Sequence, residues 1–179
     1  MRTEVGVVSC CLVIAFAVPA AADDLPAVAP SRAEFLAEYD DSARKLSELA
    51  HAIPAERYAW RPAPGVRSPG EVFQHVSNAI FYLAERTGVA RPAEAGVDLE
   101  TLAAKSDVLH WLEVALRHGR SAAASASVAE LGREVELYGG RRTVAGIQLR
   151  MLLHMNEHLG QLVAYARSIG VAPPWSVGG

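Results

Sequence analysis

From Ile147 to Ile169 the chain has no proline and is apolar on two faces when wound as a helix at about 100° per residue. Ala145, Leu149, Leu152, Leu159, Val163 and Ala166 share one face. Ile147, Met151, Leu162, Tyr165 and Ile169 share the other, leaving Arg150, Glu157 and Ser168 on a narrow polar strip. A helix that is apolar nearly all round is expected to be buried among other elements. The pattern therefore constrains the chain to a fold that can surround this segment. Thr143 is placed to cap its start, and Gly170 followed by Pro173-Pro174 to end it.

Three further helical segments can surround it. Ser31-Arg32-Ala33-Glu34 fits a capping box, in which serine and glutamate satisfy each other's orphan amide donors. The helix it opens carries Phe35, Tyr39, Leu46 and Leu49 at helical spacing and reaches about His51, before Pro54. Ser68-Pro69-Gly70-Glu71 is the clearest helix start, with proline in the first helical position. That helix runs to about Arg86 and ends at Gly88. A third is expected from about Asp98 to His118, on a core line of Leu102, Leu109, Leu112 and Leu116, with Gly119 closing it. His118 would then sit at a helix C-terminus as a partner of the dipole. Ser121 to Ser127 reads as a loop or an extra turn, and Arg133 to Tyr138 as a short extended segment ahead of Gly139-Gly140. Four amphipathic helices with little strand pattern indicate an all-α fold, a four-helix bundle. The loop Ile53–Arg67 holds three prolines with Tyr58 and Trp60, and these aromatics are expected to cover one end of the core.

The residues before Ser31 read differently. Arg2, the apolar run Val5–Val18 and Ala20-Ala21-Ala22 followed by Asp23-Asp24 form a secretory signal peptide, residues 1–22, with a linker over 23–30. Val7-Val8-Ser9-Cys10 also resembles a lipobox, but the apolar run continues past the cysteine. The expected location is the periplasm or outside the cell. Both cysteines lie in the leader, so the mature chain has no disulfide, thiolate nucleophile or cysteine ligand. Removing Arg2 and Glu4 leaves the net charge at -3. With no basic block, nucleic acid is excluded as a partner, and no membrane association is expected after cleavage.

The chemistry centres on His154-Met155-Asn156-Glu157-His158-Leu159-Gly160-Gln161. Imidazoles four residues apart stand one above the other on a helix, so one helix can offer two ligands to one metal ion. The alternative is a pair of helix histidines without metal. A third ligand has to come from elsewhere. His75 lies at the core edge of its helix, and His110, which lies toward the core side of the third helix, is the substitute. Three histidines on zinc would leave a position for water or substrate, with Gln161 able to orient a ligand. The segment also fits the H-x-x-E-H pattern of inverzincin proteases, with Glu157 as base. No acidic residue follows His158 to complete that ligand set.

Several stretches together resemble the DinB-like superfamily, which includes the YfiT-type metal-dependent hydrolases. They are Trp60-Arg61-Pro62, the run from Ser68 to Val76, Leu153-His154 through Gln161, and Gly170-Val171-Ala172-Pro173-Pro174, in that order over most of 31–179. The resemblance implies an up-down-down-up bundle. It also implies a divalent metal, zinc or nickel, on the positions matched by His75, His154 and His158. The expected activity is metal-dependent hydrolysis of a small substrate. A non-catalytic periplasmic metal- or ligand-binding protein is one alternative. A thiol-dependent transferase is another, set against the export signal because the thiols of such relatives are cytoplasmic. Helix-bundle relatives often pair, so a homodimer is expected.

Overall fold

The structure, a computed structural model, describes residues 31–96 and 99–176. The leader, its cleavage site, the linker over 23–30 and both cysteines lie outside the described residues. Four long helices form the body: α1 (Arg32–Ala52), α2 (Pro69–Arg86), α3 (Lys105–Ser125) and α5 (Val144–Ser168). A single-turn helix, α4 (Val128–Leu131), and a hairpin of β1 (Glu134–Leu137) and β2 (Gly140–Thr143) bridge α3 to α5.

The helix starts are where the caps place them. Ser31 and Ser68 each close a capping box with the glutamate three residues on, and Thr143 Oγ1 accepts from the Gly146 amide at 3.0 Å. The hairpin turn consists of Tyr138 and Gly139, both at positive φ (52° and 73°). That left-handed pair suits the twist of a tight hairpin. Glycine takes such a conformation freely; Tyr138 does so at a cost.

Contacts along the helices define their directions. Arg32 of α1 donates to the carbonyl of Ala124 near the end of α3, whereas Lys105 at the start of α3 donates to Ile53 O just past α1. α1 and α3 are therefore antiparallel. Asn156 of α5 donates to Ser42 of α1, and Phe35 lies level with Leu149, so those two are parallel. α2 is antiparallel to α5, with Trp60 just ahead of it on Tyr165 and His75 on His158. It runs parallel to α3, with Gln74 bonded to Leu102 O and Phe81 on His118. The long helices thus run up, down, down and up, with α1 and α2 at opposite corners.

The core between them holds Tyr39, Leu46, Leu49, Phe73, Ile80, Phe81, Leu112, Ile147 and Met151, all fully buried. Each such side chain contributes roughly 1.5–3 kcal/mol of transfer free energy. Tyr58 fills the end of the core as expected. Its ring stacks on Phe73 and its hydroxyl donates to Ala50 O at 2.6 Å.

Two expectations are corrected. The third helix starts at Lys105, after a short 3-10 turn over Leu99–Thr101, and continues to Ser125. Gly119 does not end it. A Cβ at Gly119 would meet Tyr39 Oη and would lie 2.6 Å from Ile80 Cγ2, so this glycine permits close helix approach. His118 is accordingly mid-helix and packed on Phe81, not at a C-terminus, and His110 is exposed with its ring against Trp111. Nor is α5 buried all round. Ala145 is exposed, and Leu149 and Leu153 are 53% and 49% exposed, because no long helix packs on that part of its surface.

Candidate metal centre

α2 and α5 lie side by side, and both contribute to one histidine cluster. His75 comes from the middle of α2, whose start is fixed by Ser68, Glu71 and the ion pair of Glu71 with Arg61. His154 and His158 come from successive turns of α5. Ring centroids are 5.0 Å apart for His75–His154, 4.9 Å for His75–His158 and 4.5 Å for His154–His158, all edge to face. One ligand nitrogen from each lies within 4.8 Å of the others, and each residue is half-buried. His51, His110 and His118 take no part. His51 is exposed at the end of α1, with Nδ1 2.9 Å from Ser47 O.

Burial disfavours the protonated forms of His75 and His154. Burial pushes the His75 pKa down to about 4, aided by the Arg67 guanidinium and by His158 and His154. Burial also lowers His154, with His158 and Arg150 adding to the effect and Glu157 opposing it. Neutral imidazole is the form that binds metal, so His75 and His154 are already in that form near pH 7.

The donor set fits a divalent ion. His154 Nε2 is buried with no hydrogen-bond partner. An unsatisfied buried polar atom costs about 1–3 kcal/mol, and a cation among the three imidazoles removes that cost. Three imidazole nitrogens suit zinc, nickel and neighbouring transition metals and are poor ligands for calcium or magnesium.

The outer edges of two rings are held. His158 Nδ1 lies 2.8 Å from Gln161 Oε1, and Gln161 Nε2 donates to the Tyr165 hydroxyl at 2.7 Å. With the amide oxygen on the ring, Nδ1 carries the proton and Nε2 is left as the ligand. Trp60 packs edge-on against Tyr165 at 5.7 Å, so the proline-rich loop buttresses this relay. His154 Nδ1 lies 3.4 Å from Arg150 Nη2 and 3.6 Å from Glu157 Oε2. Arg150 and Glu157 are paired through two 3.0 Å bonds. If His154 Nε2 is a ligand, its Nδ1 carries the proton and must donate, and Glu157 is the acceptor in reach. Sequence reasoning left Arg150 and Glu157 as a solvated strip. Their i, i+4 and i, i+3 spacing to His154 was the available signal. Tyr165, one turn beyond Gln161, had the same signal.

Arg61, Gly65, Arg67, Glu71, Gln74 and Glu100 line a recess of about 270 Å³. Glu71 and Gln74 lie within one turn of His75 on α2, and none of the three histidines lines this recess.

Comparison with known proteins agrees with this architecture. A family model of the DinB superfamily matches residues 38–162. The chain belongs to the DinB superfamily. None of the curated proteins matches it. Among solved structures it is similar to a DinB-like protein from Bacillus cereus, with TM-score 0.70 and 19% identity over 79% of this chain and 95% of that one. A DinB-like protein from Bacillus subtilis gives TM-score 0.60 and 20% identity over 76% and 91%. YfiT from Bacillus subtilis, described as a probable metal-dependent hydrolase with an unusual four-helix bundle topology, gives TM-score 0.65 and 13% identity over 83% and 94%. At these identities the likeness establishes the fold.

Proposed function

We propose that this chain holds a divalent transition metal, zinc or nickel, on His75, His154 and His158 and hydrolyses a small substrate there. The observation that carries the reading is the convergence of three half-buried imidazoles with one orphaned ligand nitrogen, His154 Nε2. A bound ion would supply Lewis acidity, polarising a carbonyl or phosphoryl oxygen and making water acidic enough to attack near neutral pH. The chain's own residues do the rest. Gln161 and Tyr165 hold the His158 ring, and Arg150 with Glu157 holds His154. Glu157, whose carboxyl Arg150 holds below the usual range, serves to orient the His154 ring. The recess at Glu71 and Gln74, on the same helix as His75 and slightly under the roughly 300–1,000 Å³ of drug-sized pockets, suits a small molecule. Export through the leader would place this chemistry in the periplasm or outside the cell, and N-terminal sequencing of native protein that finds Met1 retained would rule that out.

A second reading, metal or ligand binding without turnover, has one observation in its favour. Glu71 and Glu157, the carboxylates within one turn of the histidines on α2 and α5, are both held below the usual range by arginine partners, so neither is pushed up toward neutral pH. The experiment is metal stoichiometry of the native protein, followed by turnover of ester, amide and thiol-conjugate panels by the metal-loaded form. The hydrolase reading expects one metal per chain and ester or amide turnover lost in His158→Ala. Metal without turnover favours the second reading, and turnover of thiol conjugates alone favours a transferase.

A further inference from the structure

On the opposite side of α5 from the histidines, the starts of α1 and α5 and the single turn of α4 enclose a groove of about 310 Å³. Phe35, Leu131, Ala145 and Leu149 give it apolar walls, and Arg32 and Gln148 supply its polar groups. Leu149 is 53% exposed, a large apolar side chain left in water beside a concave surface. Gln148 is only 7% exposed, yet its amide nitrogen has no hydrogen-bond partner. The Arg32 guanidinium donates to the carbonyls of Ala124 and Ala126, and no carboxylate among the described residues pairs with it. The carbonyls at the end of α3 carry only about half a negative charge between them, so a net positive charge remains at this corner of the groove. Apolar walls, one cation without a carboxylate partner among the described residues and one orphaned amide donor together match a ligand with a short apolar chain and an anionic, hydrogen-bond-accepting head.

From this chemistry we infer that the groove binds a short-chain amphipathic anion, with its chain between Phe35, Leu131 and Leu149 and its head at Arg32 and Gln148. The charge favours an anion over a neutral amphiphile. The small volume favours a single short chain over a peptide helix or a two-chain lipid. The site does not depend on the metal, since Gln148 and His154 point to different sides of α5.

The test is calorimetric titration of the full chain with octanoate, in the presence of a chelator that keeps metal from the histidines. Octanoate is expected to saturate at one per chain, octanol to bind about tenfold more weakly for want of the charge-assisted bonds, and acetate not to bind. Octyl phosphate distinguishes the head groups. Binding as tight as octanoate assigns the site to anionic heads in general, and weaker binding assigns it to carboxylates. Leu149→Glu should abolish binding, Arg32→Gln should reduce octanoate to the level of octanol, and His75→Ala should change nothing. Arg32 also satisfies carbonyls at the end of α3, so its variant could lose structure; Leu149→Glu is at an exposed position and carries the decision alone. The inference is overturned if octanoate gives no saturable heat, if octanol binds as tightly as octanoate, or if Leu149→Glu binds like wild type. It is also overturned if sedimentation shows a dimer that Leu149→Glu dissociates while octanoate has no effect, which gives the groove to a second copy.

Discussion

Gln161→Leu separates an oriented metal ligand from a merely nearby histidine. The substitution removes the oxygen 2.8 Å from His158 Nδ1 and leaves the Tyr165 hydroxyl without its 2.7 Å donor. The size and helix position of the side chain are kept, so packing changes little. Losing such an outer partner weakens metal binding by about 10–100-fold, or ~1.4–2.7 kcal/mol. The structure favours the lower half of that range. His158 is half-buried, so water can replace the amide, and the ring also rests edge-on against His75 and His154. Tyr165→Phe leaves the amide oxygen in place and removes only its anchor, so it should cost less. Gln161→Glu offers an ionised acceptor, about twice as strong, and should tighten binding. Competition for zinc against a chromophoric chelator at neutral pH reads all three, with circular dichroism confirming that each variant is folded. Wild-type affinity in a folded Gln161→Leu variant would refute the orienting role. A Tyr165→Phe variant as impaired as Gln161→Leu would show that the hydroxyl, not the amide, controls the ring.

Glu157→Gln should weaken zinc binding in the same assay by about tenfold, because the His154 ring loses the carboxylate charge 3.6 Å from its Nδ1; no change would return Glu157 to the role of a surface charge. Gly119→Ala should destabilise the fold although alanine is the better helix former by about 1 kcal/mol, because overpacking against Tyr39, Ile80 and Met151 costs ~1–3 kcal/mol. Urea unfolding that shows a gain in stability would mean the helices separate freely. His118 supplies a pH test. Burial and Arg91 hold its pKa below 6.5 against the pull of Glu85, so the unfolded chain takes up this proton first. Its contribution to stability should be constant above about pH 6.5 and fall as pH drops toward the folded pKa. Replacing His118 with Phe should flatten that slope, and unchanged slopes in wild type and variant would refute the assignment.

What was legible in the sequence was local. Ser31 with Glu34, Ser68 with Glu71, and Thr143 declare helix starts through bonds that span three residues, and the structure places the helices there. His154 and His158 share a face for the same reason. The approach of His75 is different in kind. It depends on α2 packing against α5 across more than seventy residues of chain, and spacing alone left His110 open as the substitute. Only the tertiary structure brings the His75 ring against both α5 imidazoles and leaves His110 exposed.

The misreadings share one cause. Gly119 looked like a helix end because a glycine after a histidine in a helical pattern carries that meaning, and nothing local distinguishes a stop from a close approach. The distinction lies in Tyr39, Ile80 and Met151, which reach Gly119 from three other helices. The apolar face at Ala145, Leu149 and Leu152 presents the same problem in reverse. Periodicity states which surface a helix can bury, not whether the fold supplies a cover. In this bundle α5 has neighbours at two corners, α1 and α2, and the start of its outer face has only the single turn of α4. Single exposed apolar side chains are ordinary on a protein surface, but Leu149 stands on the wall of a concave apolar groove. The groove beside Leu149, with the orphaned Gln148 amide in its lining, and not the exposure of the leucine alone, is what argues for a ligand there.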